Sequence, residues 1–432
     1  MSILTKIEGE FDSLLHHLNG KSGLAWNRLR EQAFDNFKKL GIPTVKNEDW
    51  KYSSLKGLDK YDYQLSSASS VAAEELAALP FAALEGLQLV FVNGSFAADL
   101  SSPLLNEKIR VLSFREAENA IPEVLNEYYG KGLDIEKEGM TALNMAISRD
   151  GAVIYVPDHA VLEKPVVIRH IHAVGQGHIS SSAHHLVVAG KNAEAKVVEI
   201  FQTIGDNSSF ANMVTEIFVA EEARVDYYKI QDDNDAGFHV GTTQVLQKDR
   251  SYFYAATFTV NGGFVRNNLN LVLDGEYIES HMYGLYIPNG SQHVDNHTLV
   301  DHQKPNSESN ELYKGILDGR SKGVFNGKIY VRQDAQKTNA YQNCRNVILS
   351  ESAGMNTKPQ LEIWADDVKC SHGTTTGKLD DDAVFYMQSR GIPRAEAIKL
   401  QLAAFAEDVV SQIKWEALRD QLDILILKKL QS

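Results

Sequence analysis

Two residues in the last fifth of the chain carry its clearest chemistry. Cys370 and His372 stand two positions apart in the run Lys369-Cys-Ser-His-Gly373, just ahead of a helix-like segment. On a strand, residues i and i+2 face the same side, roughly 6.5 to 7 Å apart. A thiolate and a ring nitrogen can therefore lean together onto one metal centre. Closed zinc and iron–sulfur sites take four ligands, and the only other cysteine is Cys344. The missing ligands must come from elsewhere, a second chain included. The competing reading is a buried thiol beside a hydrogen-bonded histidine, and spacing alone leaves both open. Cys344 precedes Cys370 by 26 residues, close to one turn of a repeating β fold. That would stack the two thiols on adjacent rungs about 4.8 Å apart.

Other candidates have simpler explanations. His170 with His172, His184 with His185, and the group His293, His297 and His302 have ligand-like spacing. The last group lies in a polar, Asn-rich segment that reads as loop and strand edges. Asp380-Asp-Asp382 before Ala383-Val-Phe-Tyr386 reads as a helix N-cap with favourable dipole charges. Asp295, Asp301, Glu308 and Glu311 raise the alternative of a β-solenoid polysaccharide lyase or hydrolase working through paired carboxylates. The Walker, Gly-x-Gly-x-x-Gly and Gly-x-Ser-x-Gly motifs are absent from the sequence. This argues against an autonomous enzyme.

Length and composition bound the scaffold that positions these residues. With 432 residues, 43% of them hydrophobic, the chain can bury two or three packed units. Two cysteines at this length indicate thiols in a reducing compartment. The start, Met1-Ser-Ile-Leu-Thr-Lys-Ile-Glu-Gly-Glu10, lacks signal-peptide character, and no run of 18 apolar residues occurs. The expected setting is the cytoplasm, with no membrane. A balance of 43 basic to 57 acidic residues, net −14, opposes nucleic-acid binding.

Three regions follow, with a mixed connecting stretch at 86–150. Residues 1–85 read as helical: Trp26, Arg30, Ala33, Phe34, Phe37 and Leu40 recur at helical steps up to Gly41 and Pro43. A second helix is expected over Ser70 to Leu84 behind the run Ser66, Ser67, Ser69, Ser70, and a strand over Leu87 to Val92. Residues 151–375 carry roughly fifteen short β-rich runs at intervals of 10 to 18 residues. That exceeds an ordinary sandwich and favours a β-solenoid. No proline interrupts Val166 to Ile287, in keeping with many ladder-bonded strands. Residues 376–432 return to helix. Gly391 closes one helix, Pro393 opens the next in its first turn, and Ile398, Leu402, Phe405, Val409 and Ile413 form an apolar stripe. The last helix has an apolar face that could pack at home or against a partner.

Two segments resemble a known family. Gly373-Thr-Thr-Thr-Gly-Lys-Leu-Asp380, Phe385-Tyr386 and Ser389-Arg-Gly-Ile392 look like the C-terminal signature of the SufB/SufD family of iron–sulfur cluster assembly proteins. Arg30, Ala33-Phe34, Phe37, Gly41-Ile-Pro-Thr44, Lys46, Glu48 and Trp50-Lys-Tyr52 resemble the SufD side of that family rather than the SufB side. The resemblance implies a mainly β fold, a right-handed parallel β-helix between N- and C-terminal helical regions. It implies a scaffold without catalytic activity of its own, paired through its β-helix with a SufB-like paralogue and bound through its C-terminal helices by a SufC-like ATPase. Cys370 and His372 match positions at the SufB interface, with His372 the stronger cluster ligand. Phe385, Tyr386, Arg390, Gly391 and Ile392 match the ATPase docking region. The implied cargo is a transient iron–sulfur cluster shared with the partner. A flavin is associated with such complexes, with no residue assigned here, and an isolated chain is open to homodimerisation through its unpaired edges.

Overall fold

The computed structural model describes residues 6, 7, 9, 11, 25–65, 71–102 and 108–431. Its centre is a parallel β-solenoid of about 8 turns. Each turn contributes one strand to each of two 10-stranded sheets. One sheet ends in Lys322–Val331 and Gly354–Ile363, the other in Asn339–Ile348 and Lys369–Gly377. The helical flanks cover the outer faces.

The strands run 8 to 11 residues over most of the solenoid, from Val166–Ala173 to Lys369–Gly377. They are longer than the apolar runs visible in the sequence because polar residues inside the coil extend them. Gln231, Thr259, Asn267 and Asn296 face one another across the interior. Gln231 Nε2 donates to Asn267 Oδ1 at 3.0 Å, the Thr259 hydroxyl donates to Gln231 Oε1 at 2.7 Å, and Asn267 Nδ2 donates to Asn296 Oδ1 at 3.2 Å. Buried polar groups survive where they are paired. The segment expected as loop and strand edges, around His293, His297 and His302, is accordingly one continuous strand, His293–His302.

Over most of the coil both faces of each sheet are covered, so many strand positions are apolar on either side. Ile168, Val197, Tyr227, Ile217 and Leu271 fill the interior. Leu186, Val188 and Phe210 on the outside of one sheet pack against Trp26, Phe34 and Phe37 from the N-terminal region. On the other sheet, Val198, Tyr228, Tyr254 and Phe258 pack against Leu402, Val409, Leu418 and Leu422.

Helix Ala25–Leu40 ends where Gly41 adopts φ +69°, as its sequence indicates. The helix expected over Ser70 to Leu84 is only Ala73–Ala77. Pro80 cannot sit inside a helix, and Phe81 follows with φ +63°. The serine run Ser66, Ser67, Ser69, Ser70, expected to cap it, lies outside the described residues. Strand Leu87–Val92 forms as expected and joins the solenoid, pairing in parallel with Val166–Ala173. Pro359 lies on the terminal strand of its sheet, the place where a missing N–H is tolerated.

The two ends of the coil differ. At the N-terminal end the short strands Ser95–Phe96 and Arg110–Ser113 close the sheets with antiparallel pairs. At the C-terminal end, strands Gly354–Ile363 and Lys369–Gly377 each have one neighbour and an open outer edge among the described residues.

Candidate functional site at the open end of the solenoid

Strand Lys369–Gly377 carries both sequence-predicted ligands. Cys370 pairs with Ala340 and His372 with Gln342. Ala340, Gln342, Cys344 and Asn346 are the buried, inward positions of the preceding strand, so Cys370 and His372 lie on the inward side of the last rung. With no further rung above, His372 is exposed and Cys370 half-buried against the interior core. Partial burial raises the Cys370 thiol above its ordinary pKa, offset in part by a hydrogen bond from the Ala340 backbone. A bound metal or a nearby cation would be needed to stabilise the thiolate.

Cys344 is not stacked on Cys370. A full turn here runs from Ala340 to Cys370, longer than the spacing of the two cysteines, and Cys344 pairs instead with Thr374. It is fully buried, 3.8 Å from the Tyr286 hydroxyl and 3.4 Å from Asn346 Nδ2, and burial pushes its thiol up to about 12.

The four carboxylates of the hydrolase alternative do not converge. Asp295 is buried on the outside of one sheet, held by Arg266 at 2.7 Å. Asp301 pairs with Arg332, Glu308 is exposed at a strand start, and Glu311 is buried inside the coil. His302 stands apart, bonded to Ser309 Oγ, while His293 and His297 are bonded to Ser53 Oγ and Asp295, which also bond each other.

One convergence escaped the sequence. His170 Nε2, His185 Nε2 and a Glu199 carboxylate oxygen lie within 4.8 Å of one another, deep in the interior. His170 and His185 come from facing sheets, so only the rung register brings them together. His185 Nδ1 accepts the Ala152 backbone N–H at 2.7 Å, which leaves the proton of the neutral ring on Nε2. That proton points to His170 Nε2 at 3.0 Å or Glu199 at 3.5 Å. The cluster is therefore a proton-sharing network as it stands, with burial lowering both histidines.

Beyond the last strand, helix Asp381–Ser389 begins with Asp380 accepting the Ala383 N–H at 3.1 Å, the cap its acidic run suggested. It ends in a Schellman motif: Gly391 at φ +89° donates to Gln388 O and Ile392 to Met387 O. Pro393 is the N-cap of the next helix, Arg394–Val410, one position earlier than expected. Phe385 and Tyr386 are 72% and 60% exposed, and the Arg390 guanidinium lies 5.2 Å from the Tyr386 ring centre. In the last helix, Glu416–Lys429, Leu418, Leu422 and Ile426 pack at home while Ile424 and Leu427 face out.

Comparison with known proteins settles the family. Residues 170–405 match the SufBD core domain of SUF-system FeS cluster assembly, and residues 5–168 match the SufBD protein N-terminal region. The chain belongs to the SufB/SufD family of iron–sulfur cluster assembly proteins. It is 32% identical to an iron–sulfur cluster assembly SufBD family protein of Synechocystis, over 97% of this chain and 94% of that one. It is 30% identical to iron–sulfur cluster assembly protein SufD of Escherichia coli, over 94% of each, and 26% identical to SufD of Bacillus subtilis over the full length of both. Nothing supports the polysaccharide-cleaving alternative. Among the described residues, no helix is long and apolar enough to cross a membrane.

Proposed function

We propose that this chain is a SufD-type scaffold subunit, without catalytic activity of its own, that contributes His372 and Cys370 to an iron–sulfur cluster shared with a SufB-like partner. The observation that carries this reading is the uncapped last rung, where a nitrogen and a sulfur donor share one side of an edge strand with His372 exposed. Two donors fall short of a closed shell. The partner's strands would extend the sheets and its side chains complete the ligands, while homodimers form in its absence. The cluster is cargo, built and passed on, in the cytoplasm. A flavin in the complex has no residue assigned on this chain.

A SufC-like ATPase docks on the surface around Phe385, Tyr386, Arg390, Gly391 and Ile392. The helices after it grip the solenoid: Lys314 Nζ donates to the Phe405 carbonyl at 2.8 Å, and Tyr254 to the Gln412 carbonyl at 2.7 Å. Nucleotide-driven pairing of two ATPases would pull on these helices and shift the paired coils, provided nucleotide favours one arrangement.

The test is co-expression with the partner and the ATPase, anaerobic purification and an absorption spectrum. His372→Ala should lower cluster yield with partner binding intact. Wild-type yield from that variant would remove His372 from the ligand set.

A further inference from the structure

We propose that Glu311 and Gln342 are positioning residues that hold the His372 imidazole from inside the coil, fixing which ring nitrogen keeps its proton and which turns its lone pair outward. The proposal deepens the reading of His372 as a cluster ligand and, for its metal, rests on it.

The three residues occupy one register position on successive turns: Glu311 pairs with Gln342, and Gln342 with His372. Parallel strands in register are about 4.8 Å apart, so the three inward side chains form a column that ends at the mouth. Glu311 and Gln342 are 4% and 1% exposed. Gln342 Nε2 donates to Glu311 Oε2 at 2.8 Å. With Glu311 ionised this fixes the amide, because only its nitrogen can donate to a carboxylate. The amide oxygen Oε1 is left buried with no hydrogen-bond partner. An orphaned buried acceptor is destabilising, so a site that keeps one has a donor in prospect.

The next side chain in the column is His372, whose ring N–H suits a carbonyl oxygen. Metal-binding histidines commonly give their second ring N–H to a carbonyl or carboxylate, which fixes the tautomer and raises ligand basicity. Here an amide would pass the polarisation on to a carboxylate. The opposite sheet makes room for it: a Cβ on Gly327 would lie 2.2 Å from Gln342 Nε2. The groups acting on Glu311 from neighbouring elements are Thr298, Gln342, Tyr313 and Cys344, none a cation. Burial raises Glu311 to about 7, and its Gln342 bond partly opposes that.

The test is nitrogen-15 NMR of histidine-labelled full-length chain without iron, with the His372 signals assigned from a His372→Gln spectrum. Wild-type chain should show one dominant His372 tautomer. Gln342→Ala should give the mixture of an unrestrained histidine, and Gly327→Ala, which displaces the amide from the other side, should reproduce it. Glu311→Gln keeps the shape but lets the Gln342 amide turn over, and should weaken the His372 tautomer preference. A His372 tautomer identical in wild type and all three variants would overturn the proposal. Cluster yield from His372→Ala judges the ligand role separately, so either idea can fail alone.

Discussion

Arg266 and Asp295 form an ion pair buried from solvent, 2.7 Å apart, on the outer face of the solenoid. The guanidinium also lies 4.3 Å from the Trp50 ring centre and donates to the Asp49 carbonyl at 2.7 Å. The N-terminal segment that resembles the family is thereby clamped to the coil. Arg266→Met should destabilise the chain by about 3 to 5 kcal/mol, because it strands a buried carboxylate. Urea unfolding followed by Trp fluorescence would measure it. The double variant Arg266→Met with Asp295→Leu should recover much of the loss, since it strands no charge.

His302 is buried, bonded to Ser309 Oγ at 2.9 Å, and burial lowers its pKa from 6.5 to about 4. The unfolded chain therefore binds a proton that the folded chain refuses between those values. Stability falls as the pH drops from 6.5 to about 4 and levels off below, with His302 contributing about 3 kcal/mol. His302→Gln should flatten this part of the pH–stability curve. An unchanged slope would show that other groups dominate.

Phe385 and Tyr386 are exposed on a capped helix, so their replacement should leave folding almost untouched. Tyr386→Asp should weaken ATPase binding in calorimetry at least tenfold with an unchanged melting temperature. Full affinity would move the docking surface elsewhere, with Ile424 and Leu427 next in line.

The two thiols should differ sharply in reactivity. Cys344 is sealed in the interior with its thiol raised to about 12, while Cys370 is half-buried at the mouth. A maleimide should label only Cys370 in native chain, faster as pH rises, and both after denaturation. Mass spectrometry of the labelled peptides reads this directly.

The solenoid was legible because its strands are frequent and bounded by turn residues, and Cys370 and His372 share a face because strand periodicity is 2. Rung length was not. The turns are set by loops, so the spacing of Cys344 and Cys370 suggested a stacking that the true register excludes. Asn-rich His293–His302 read as loop and strand edges because its pairing lies on neighbouring turns, invisible locally. The His170, His185 and Glu199 convergence hid for the same reason. The overlong helix before Leu84 is different: Pro80 was in plain view, and alanine richness outweighed it.

The last rung has consequences for supply. Its bare N–H and C=O groups are a template for a further strand, so the chain on its own carries an adhesive end. If the proposed pairing holds, balanced synthesis of the two subunits would then matter for solubility as well.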